Sequence, residues 1–271
     1  MNYRHSFHAG NFADLVKHAL VLWLLNARQA RGPVTVFDTH AGAGLYDLSG
    51  DAARSREAEA GVARLMTAEG RPPLLDALAA RVAAINTPGE TRFYPGSPIL
   101  IADALTEGGR YVGFELNPPV RALLDEALKG RANAEAREGD GYDYVVRAAA
   151  GTRAPLVLID PPFEKPDDYL RSAETALAVA GRDRDATVAI WTPLKDLETF
   201  DGFIRRLQGR AGPTLVAEAR LRPLTNPMKM NGCALVVVNP PTGAEAAANT
   251  VCGWTARMLG DAGGKAEVWS F

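Results

Sequence analysis

The sequence is poor in cysteine, with two in 271 residues, Cys233 and Cys252. Two thiols make neither a disulfide framework nor a zinc site. They suit a reducing compartment, and a cytoplasmic location is expected. Long apolar runs are missing as well. The longest near the N-terminus, residues 19–25, falls far short of the ~20 residues of a spanning helix. The polar start Met1-Asn2-Tyr3-Arg4-His5 has no apolar segment behind it, so no secretory signal is expected. An excess of one charge is absent. A net charge of −2 excludes a general polycationic coat for nucleic acid but leaves room for a local basic patch. Histidine is scarce, yet its four copies, His5, His8, His18 and His40, all lie in the first forty residues. No cysteine or carboxylate group joins them at ligand spacing, so no metal is expected. A helix-entry segment with satisfied histidines accounts for them, or a tail that faces a ligand. Repeats, low-complexity segments and a linker marking a second independent domain are also lacking, which points to a single domain.

What is present is an alternation of strands and helices. Strands are predicted at 34–38, 110–116, 132–137, 156–159, 187–191, 214–221 and, as the last, 232–239. Helices are predicted at 12–28, 99–105, 119–129, 142–150, 167–180, 195–207 and 243–259. This rhythm predicts an α/β, Rossmann-like fold. It is broken after the first strand, from Tyr46 to about Arg92, where 54–69 and 74–85 read as helices on either side of Gly70-Arg71-Pro72-Pro73. A small inserted helical subdomain over about 47–92 is expected there. Its arginines, Arg54, Arg56, Arg64, Arg71 and Arg81, face phosphate or form a solvated helical surface balanced by Glu57, Glu59 and Glu69.

The most informative stretch is Leu156-Val157-Leu158-Ile159-Asp160-Pro161-Pro162-Phe163. Four apolar residues suit a buried parallel strand. Two prolines without N–H donors end its ladder. Asp160 and Phe163 therefore sit at the carboxyl end of a strand, where open α/β sheets bind ligands. The acids Asp38, Glu115 and Asp140 fall at or just past other strand ends. Asp38 leads into Thr39-His40-Ala41-Gly42-Ala43-Gly44, a turn of small residues that lets backbone approach a ligand closely. Its spacing is not G-x-G-x-x-G and the P-loop Lys-Ser/Thr is missing, which argues against a dinucleotide or a triphosphate. An acid after the second strand suits a ribose hydroxyl, and the Asp140-Gly141 turn a purine beside it. A nucleoside cofactor without pyrophosphate fits, and S-adenosylmethionine is the candidate. Ser97 is placed to cap a helix that Pro98 opens.

Asp160-Pro161-Pro162-Phe163 then has a reading. The exocyclic amine of a nucleobase offers two N–H donors, which the Asp160 carboxylate and the Pro161 carbonyl accept. Phe163 stacks on the base, a contact worth about 1–3 kcal/mol.

The tetrapeptide resembles the [DNS]-P-P-[YFW] motif of methyltransferases that act on nucleobase amines. Tyr3-Arg4-His5-Ser6-Phe7-His8-Ala9-Gly10-Asn11, Asp38-Thr39-His40-Ala41-Gly42-Ala43-Gly44 and Tyr94-Pro95-Gly96-Ser97-Pro98 resemble the RlmJ family, bacterial 23S ribosomal RNA adenine-N6 methyltransferases. The resemblance runs over nearly the whole chain. It implies a Rossmann-like class I S-adenosylmethionine-dependent methyltransferase fold with a small helical insertion after the first strand. One methyltransferase domain would span residues 1–271, with a tail of residues 1–11 over the active site. It implies cofactor contacts at His18, His40, Ser97, Glu115, Asp140, Gly141 and Asp160, with Lys17 nearby. Asp160 would be the catalytic residue. Tyr3, Pro161 and Phe163 would meet the substrate, 23S ribosomal RNA free of ribosomal proteins. The family's usual motif has Tyr where this chain has Phe163, a residue also found in guanine-N2 methyltransferases of ribosomal RNA.

Other activities fit less well. DNA adenine methylation shares the site but wants a large target-recognition domain, for which there is little room. Protein-glutamine methyltransferases usually carry Asn where Asp160 stands. A nicotinamide dehydrogenase conflicts with the glycine spacing. An RNA-binding module with an idle fold would have no use for the acids along the cofactor edge.

Overall fold

The computed structural model describes residues 7–50 and 54–271. Among these, eight strands form one mixed sheet. They are β1 (Thr35–Asp38), β4 (Arg110–Glu115), β5 (Ala134–Glu138), β6 (Leu156–Ile159), β7 (Thr187–Leu194), β8 (Thr214–Arg220), β9 (Gly232–Val238) and β10 (Lys265–Ser270), in the order β10-β8-β9-β7-β6-β1-β4-β5. β1 pairs in parallel with both β4 and β6, so the strand order reverses direction at β1. β5, β4, β1, β6 and β7 all run parallel, whereas β9, β8 and β10 add antiparallel pairs beyond β7.

The central strands are covered on both faces, and the period-2 alternation of strand side chains divides the core. Leu156 and Leu158 of β6 join Val36, Leu15, Leu22 and Trp254 on one face. Val157 and Ile159 join Phe37, Phe114, Ile190 and Phe203 on the other. Each such side chain contributes roughly 1.5–3 kcal/mol on burial. The first face is covered by α1 (Phe12–Gln29) and a C-terminal helix, Ala244–Leu259. Asn11 starts α1: its side-chain oxygen accepts from the backbone N–H of Ala13 and Asp14 at 2.9 and 3.0 Å. The opposite face carries helices Gly141–Ala150, Asp168–Arg182 and Leu197–Leu207.

Two elements depart from the sequence-based expectation. The chain does not end its sheet at β9, because β10 pairs antiparallel with β8 along the edge. Charged and small residues alternate in β10, so it lacks the apolar pattern of a core strand. Its Glu267 instead pairs with Arg220 of β8 at 2.7 Å. The region around Tyr94 is not only a turn. β2 (Leu45–Asp47) and β3 (Phe93–Pro95) form a separate two-stranded antiparallel sheet, with Tyr46 opposite Tyr94. At three residues each, neither strand is long enough to show a period. The inserted helices, Arg64–Thr67 and Pro73–Ala84, and a π-helical turn at Glu59–Ala63 lie between β2 and β3. Within the insertion, Arg56 pairs with Glu59 and Arg71 with Asp76, while Arg64 donates to the Met258 carbonyl. These three arginines have partners within the protein.

Candidate active site

The register of β6 against β1 and β7 sets Asp160 at the carboxyl edge of the sheet, as its strand-end position implies. Its carboxylate is held from α1. Lys17 Nζ donates to Asp160 Oδ2 at 2.6 Å and lies 2.8 Å from Asp14 Oδ1. The Lys17 side chain is 4% exposed. Burial by itself depresses the lysine, but the two carboxylates outweigh it and hold its pKa well above the usual value. Lys17, expected beside the cofactor, is thus paired with the Asp160 carboxylate. Asp14 is a residue that sequence reading missed, although its i,i+3 spacing from Lys17 on a helix was a usable signal. Asp14 also accepts from the Gly10 N–H at 2.9 Å, which ties the chain entering α1 to the same cluster.

Phe163 takes φ +52°, a left-handed conformation rare for a bulky side chain. Its ring packs 4.5 Å from Tyr169 and 6.0 Å from Trp191, and the residue is 9% exposed. Trp191 lies level with Asp160 on β7, and its ring centroid is 5.9 Å from Lys17 Nζ. Applying the strand-end argument to β7 would have found it. Pro161 is buried and Pro162 half-buried beside Asp160.

Along the neighbouring strand ends, Glu115 accepts from the Gly42 N–H at 3.1 Å and from the Asn117 N–H at 2.8 Å. These bonds fix the carboxylate against the glycine turn. Asp140 caps the helix starting at Gly141 by accepting from the Tyr142 N–H, and pairs with Arg171 at 2.9 Å. Arg171 also lies 4.4 Å from the Tyr142 ring centroid. It comes from a distant helix and gave no sequence signal. At Gly141 a Cβ would stand 2.0 Å from the Thr39 carbonyl oxygen, so only glycine lets these two loops meet. His40 meets Tyr142 edge-on at 4.7 Å, and burial lowers its pKa to about 4, leaving it neutral near pH 7. His18 is buried, with Nδ1 2.7 Å from the Tyr94 hydroxyl.

Two sequence-based expectations are corrected. Asp38 does not belong with the open acids of the edge, because it is fully buried. It accepts from the Ser97 hydroxyl at 2.7 Å, the Tyr111 hydroxyl at 3.1 Å and the His40 N–H at 3.2 Å. Burial pushes its pKa up to about 6 against these hydrogen bonds. Ser97 does not cap its helix. Gly96 occupies that position, and the Ser97 hydroxyl is donated to Asp38 instead. Tyr3, expected at the substrate, lies outside the described residues.

The family description "Ribosomal RNA large subunit methyltransferase D, RlmJ" matches residues 31–271. The chain belongs to the RlmJ family. It is 32% identical to ribosomal RNA large subunit methyltransferase J of Escherichia coli K12 over 97% of this chain and 95% of that protein. It is 30% identical to the protein of the same name from Haemophilus influenzae, over 89% and 88% of the two chains. The crystal structure of LPL1258 from Legionella pneumophila shares the fold, with a TM-score of 0.87 at 24% identity, covering 97% of this chain and 98% of that one. The sheet has the class I methyltransferase arrangement, and as an RlmJ-family protein the chain is an S-adenosylmethionine-dependent ribosomal RNA methyltransferase.

Proposed function

We propose that this protein transfers the methyl group of S-adenosylmethionine to the exocyclic N6 amine of an adenine in 23S ribosomal RNA. The observation that carries the reading is the Asp160 carboxylate at the end of β6, with one oxygen fixed by Lys17. Its other oxygen and the Pro161 carbonyl accept the two N–H donors of the amine. Holding the nitrogen this way turns its lone pair out of the ring and toward the methyl donor.

The polar groups along the edge fit the cofactor. Glu115, oriented by two backbone N–H groups, accepts from the ribose hydroxyls. The Asp140-Gly141 turn, pressed against Thr39, flanks the purine. His18, neutral His40 and the acceptor lone pairs of Ser97 complete the cofactor side. S-adenosylmethionine supplies a methyl already activated by its sulfonium, so what remains for the protein is alignment, which can supply about 7–11 kcal/mol of the barrier. As the N–CH₃ bond forms and the S–CH₃ bond breaks, the nitrogen becomes acidic. Asp160 takes its proton.

The base must leave its stack, which costs a few kcal/mol unless it is already unpaired. Phe163 and Trp191 form the apolar side of its pocket, and Tyr3 is a contact to the target RNA. The enzyme acts in the cytoplasm, as a monomer, on RNA not yet covered by ribosomal proteins. Buried, unpaired Cys233 and Cys252 accord with a reducing location.

The test is methyl transfer from labelled cofactor to protein-free 23S RNA lacking the modification, followed by nucleoside analysis. N6-methyladenosine is the expected product. N2-methylguanosine, or no incorporation, refutes the assignment.

A further inference from the structure

β7 is longer than the strand it flanks. Ile190 pairs with Ile159, and Trp191 to Leu194 continue past the end of β6. Trp191 is level with Asp160 in this register, and at about 3.3 Å per residue Thr192 to Leu194 rise roughly 10 Å above it. β9 follows them, with Gly232 opposite Leu194, and β8 follows β9, with Arg220 opposite Gly232. The three strands form a wall on one side of the candidate site. Its top is the loop 221–231 between β8 and β9, together with Lys195 just past β7.

This top is a built structure. Asn231 is fully buried at its base. Its N–H donates to the Leu194 carbonyl, and its side chain donates to the carbonyls of Lys195 and Asn226 at 3.0 and 2.7 Å. Its carbonyl accepts from the Leu221 N–H. One residue thus locks the loop onto the end of β7. What the loop presents is unusual. Met228 is 90% exposed, the most exposed of the large apolar side chains among the described residues, and Lys229 stands beside it in solvent.

Charge points to the same place. Arg171 and Arg222 near this edge are engaged within the protein, with Asp140 and Asp261 respectively. Lys195 and Lys229 are exposed, and their ammonium groups have no hydrogen bond or ion pair among the described residues. The carboxylate next to Lys195, Asp196, is turned away to cap the following helix at Thr199. A polyanion reaching Asp160 with one flipped base would have its backbone at the height of this wall.

We infer that loop 221–231 and Lys195 form the docking edge for RNA flanking the target adenine, with Lys195 and Lys229 on phosphates and Met228 against an unstacked base. The inference rests on the activity proposed above. Each lysine that neutralises a phosphate contributes a slope of about −0.7 to −0.9 in log K against log salt.

The experiment compares the wild-type protein with Lys195→Ala/Lys229→Ala on protein-free 23S RNA across a salt series. A second variant, Met228→Ser, and a control, Arg184→Ala at the opposite edge of the sheet, are run in parallel. The double variant should raise KM for RNA severalfold and make the salt slope shallower by about 1.5. Its kcat, cofactor affinity and Tm should stay at wild-type values. Met228→Ser should raise KM without changing the slope, and Arg184→Ala should change neither. A double variant with wild-type KM and slope overturns the inference, and so does an equal change in Arg184→Ala. Failure of the wild-type protein to methylate the RNA would instead refute the activity itself, and is read separately.

Discussion

Lys17 fixes how the Asp160 carboxylate is held. With Nζ between Asp14 and Asp160, it engages Asp160 Oδ2 and ties the strand end to α1. Lys17→Met strands two buried carboxylates, and removing one partner of a buried ion pair typically costs about 3–5 kcal/mol. The variant should melt well below wild type by calorimetry, and an unchanged Tm would contradict the pairing. Asp160→Ala should abolish methyl transfer yet bind S-adenosylmethionine nearly as wild type. Parallel loss of both, by titration calorimetry, would make Asp160 a cofactor or folding residue. Asp38 carries a pH signature. Its folded pKa, about 6, exceeds its ordinary 3.8 because burial disfavours the charged form. Its stabilising contribution is therefore complete below about 3.8 and lost as pH rises through about 6, by up to ~3 kcal/mol. Raising pH from 5 to 8 should lower the wild-type Tm relative to Asp38→Asn; parallel Tm curves would exclude this.

Among the elements, the segment entering α1 and the insertion behave as one clasp. His8 lies 3.0 Å from Glu57, Asn11 Nδ2 donates to Glu57 at 2.9 Å, and the Ser55 hydroxyl donates to the Phe7 carbonyl at 2.6 Å. Val62 in the π-helical turn donates to the Gly10 carbonyl at 2.8 Å. Because Gly10 also donates to Asp14, the insertion is linked through a few bonds to Lys17 and Asp160. The hydrogen bond to Glu57 raises the His8 pKa above 6.5, so the clasp is complete below that pH and loosens as pH rises through the raised value. Glu57→Gln should bring the His8 titration, followed by NMR, back down toward 6.5 and slow methylation. A His8 pKa that does not move would remove Glu57 as its cause. In the glycine turn, Gly141→Ala sets a Cβ against the Thr39 backbone, which cannot yield as a side chain tip would. Cofactor affinity should drop tenfold or more by calorimetry, and wild-type affinity would show that the loops have slack.

At the scale of the molecule, a net charge of −2 must still be reconciled with a polyanionic substrate. The structure resolves this by location rather than by total. Many surface cations are neutralised by neighbouring acids, as in Arg110 with Glu135, Arg131 with Asp103 and Lys129 with Glu126. Free cations beside the candidate site can then bind RNA without a basic protein overall.

The end of β6, the glycine turn and the place of Asp160 at the carboxyl edge of the sheet were legible in the sequence by itself. Strand periodicity, proline and glycine act over a few residues, and an acid at a strand end is placed by the sheet whatever the rest does. β6 appears at the residues that its apolar run marks, 156–159. The edge strand β10 and the short pair β2–β3 were not legible, because pairing partners far along the chain stabilise them more than their own pattern does. The same holds for side-chain roles. Nothing local says that Ser97 serves Asp38 rather than its helix, that Arg171 holds Asp140, or that Lys17 lies on Asp160 across 143 positions of sequence. Those pairings depend on which buried charges and hydroxyls meet when helices close on the sheet. Local sequence placed the groups at the edge, and burial decided which of them are left for ligands.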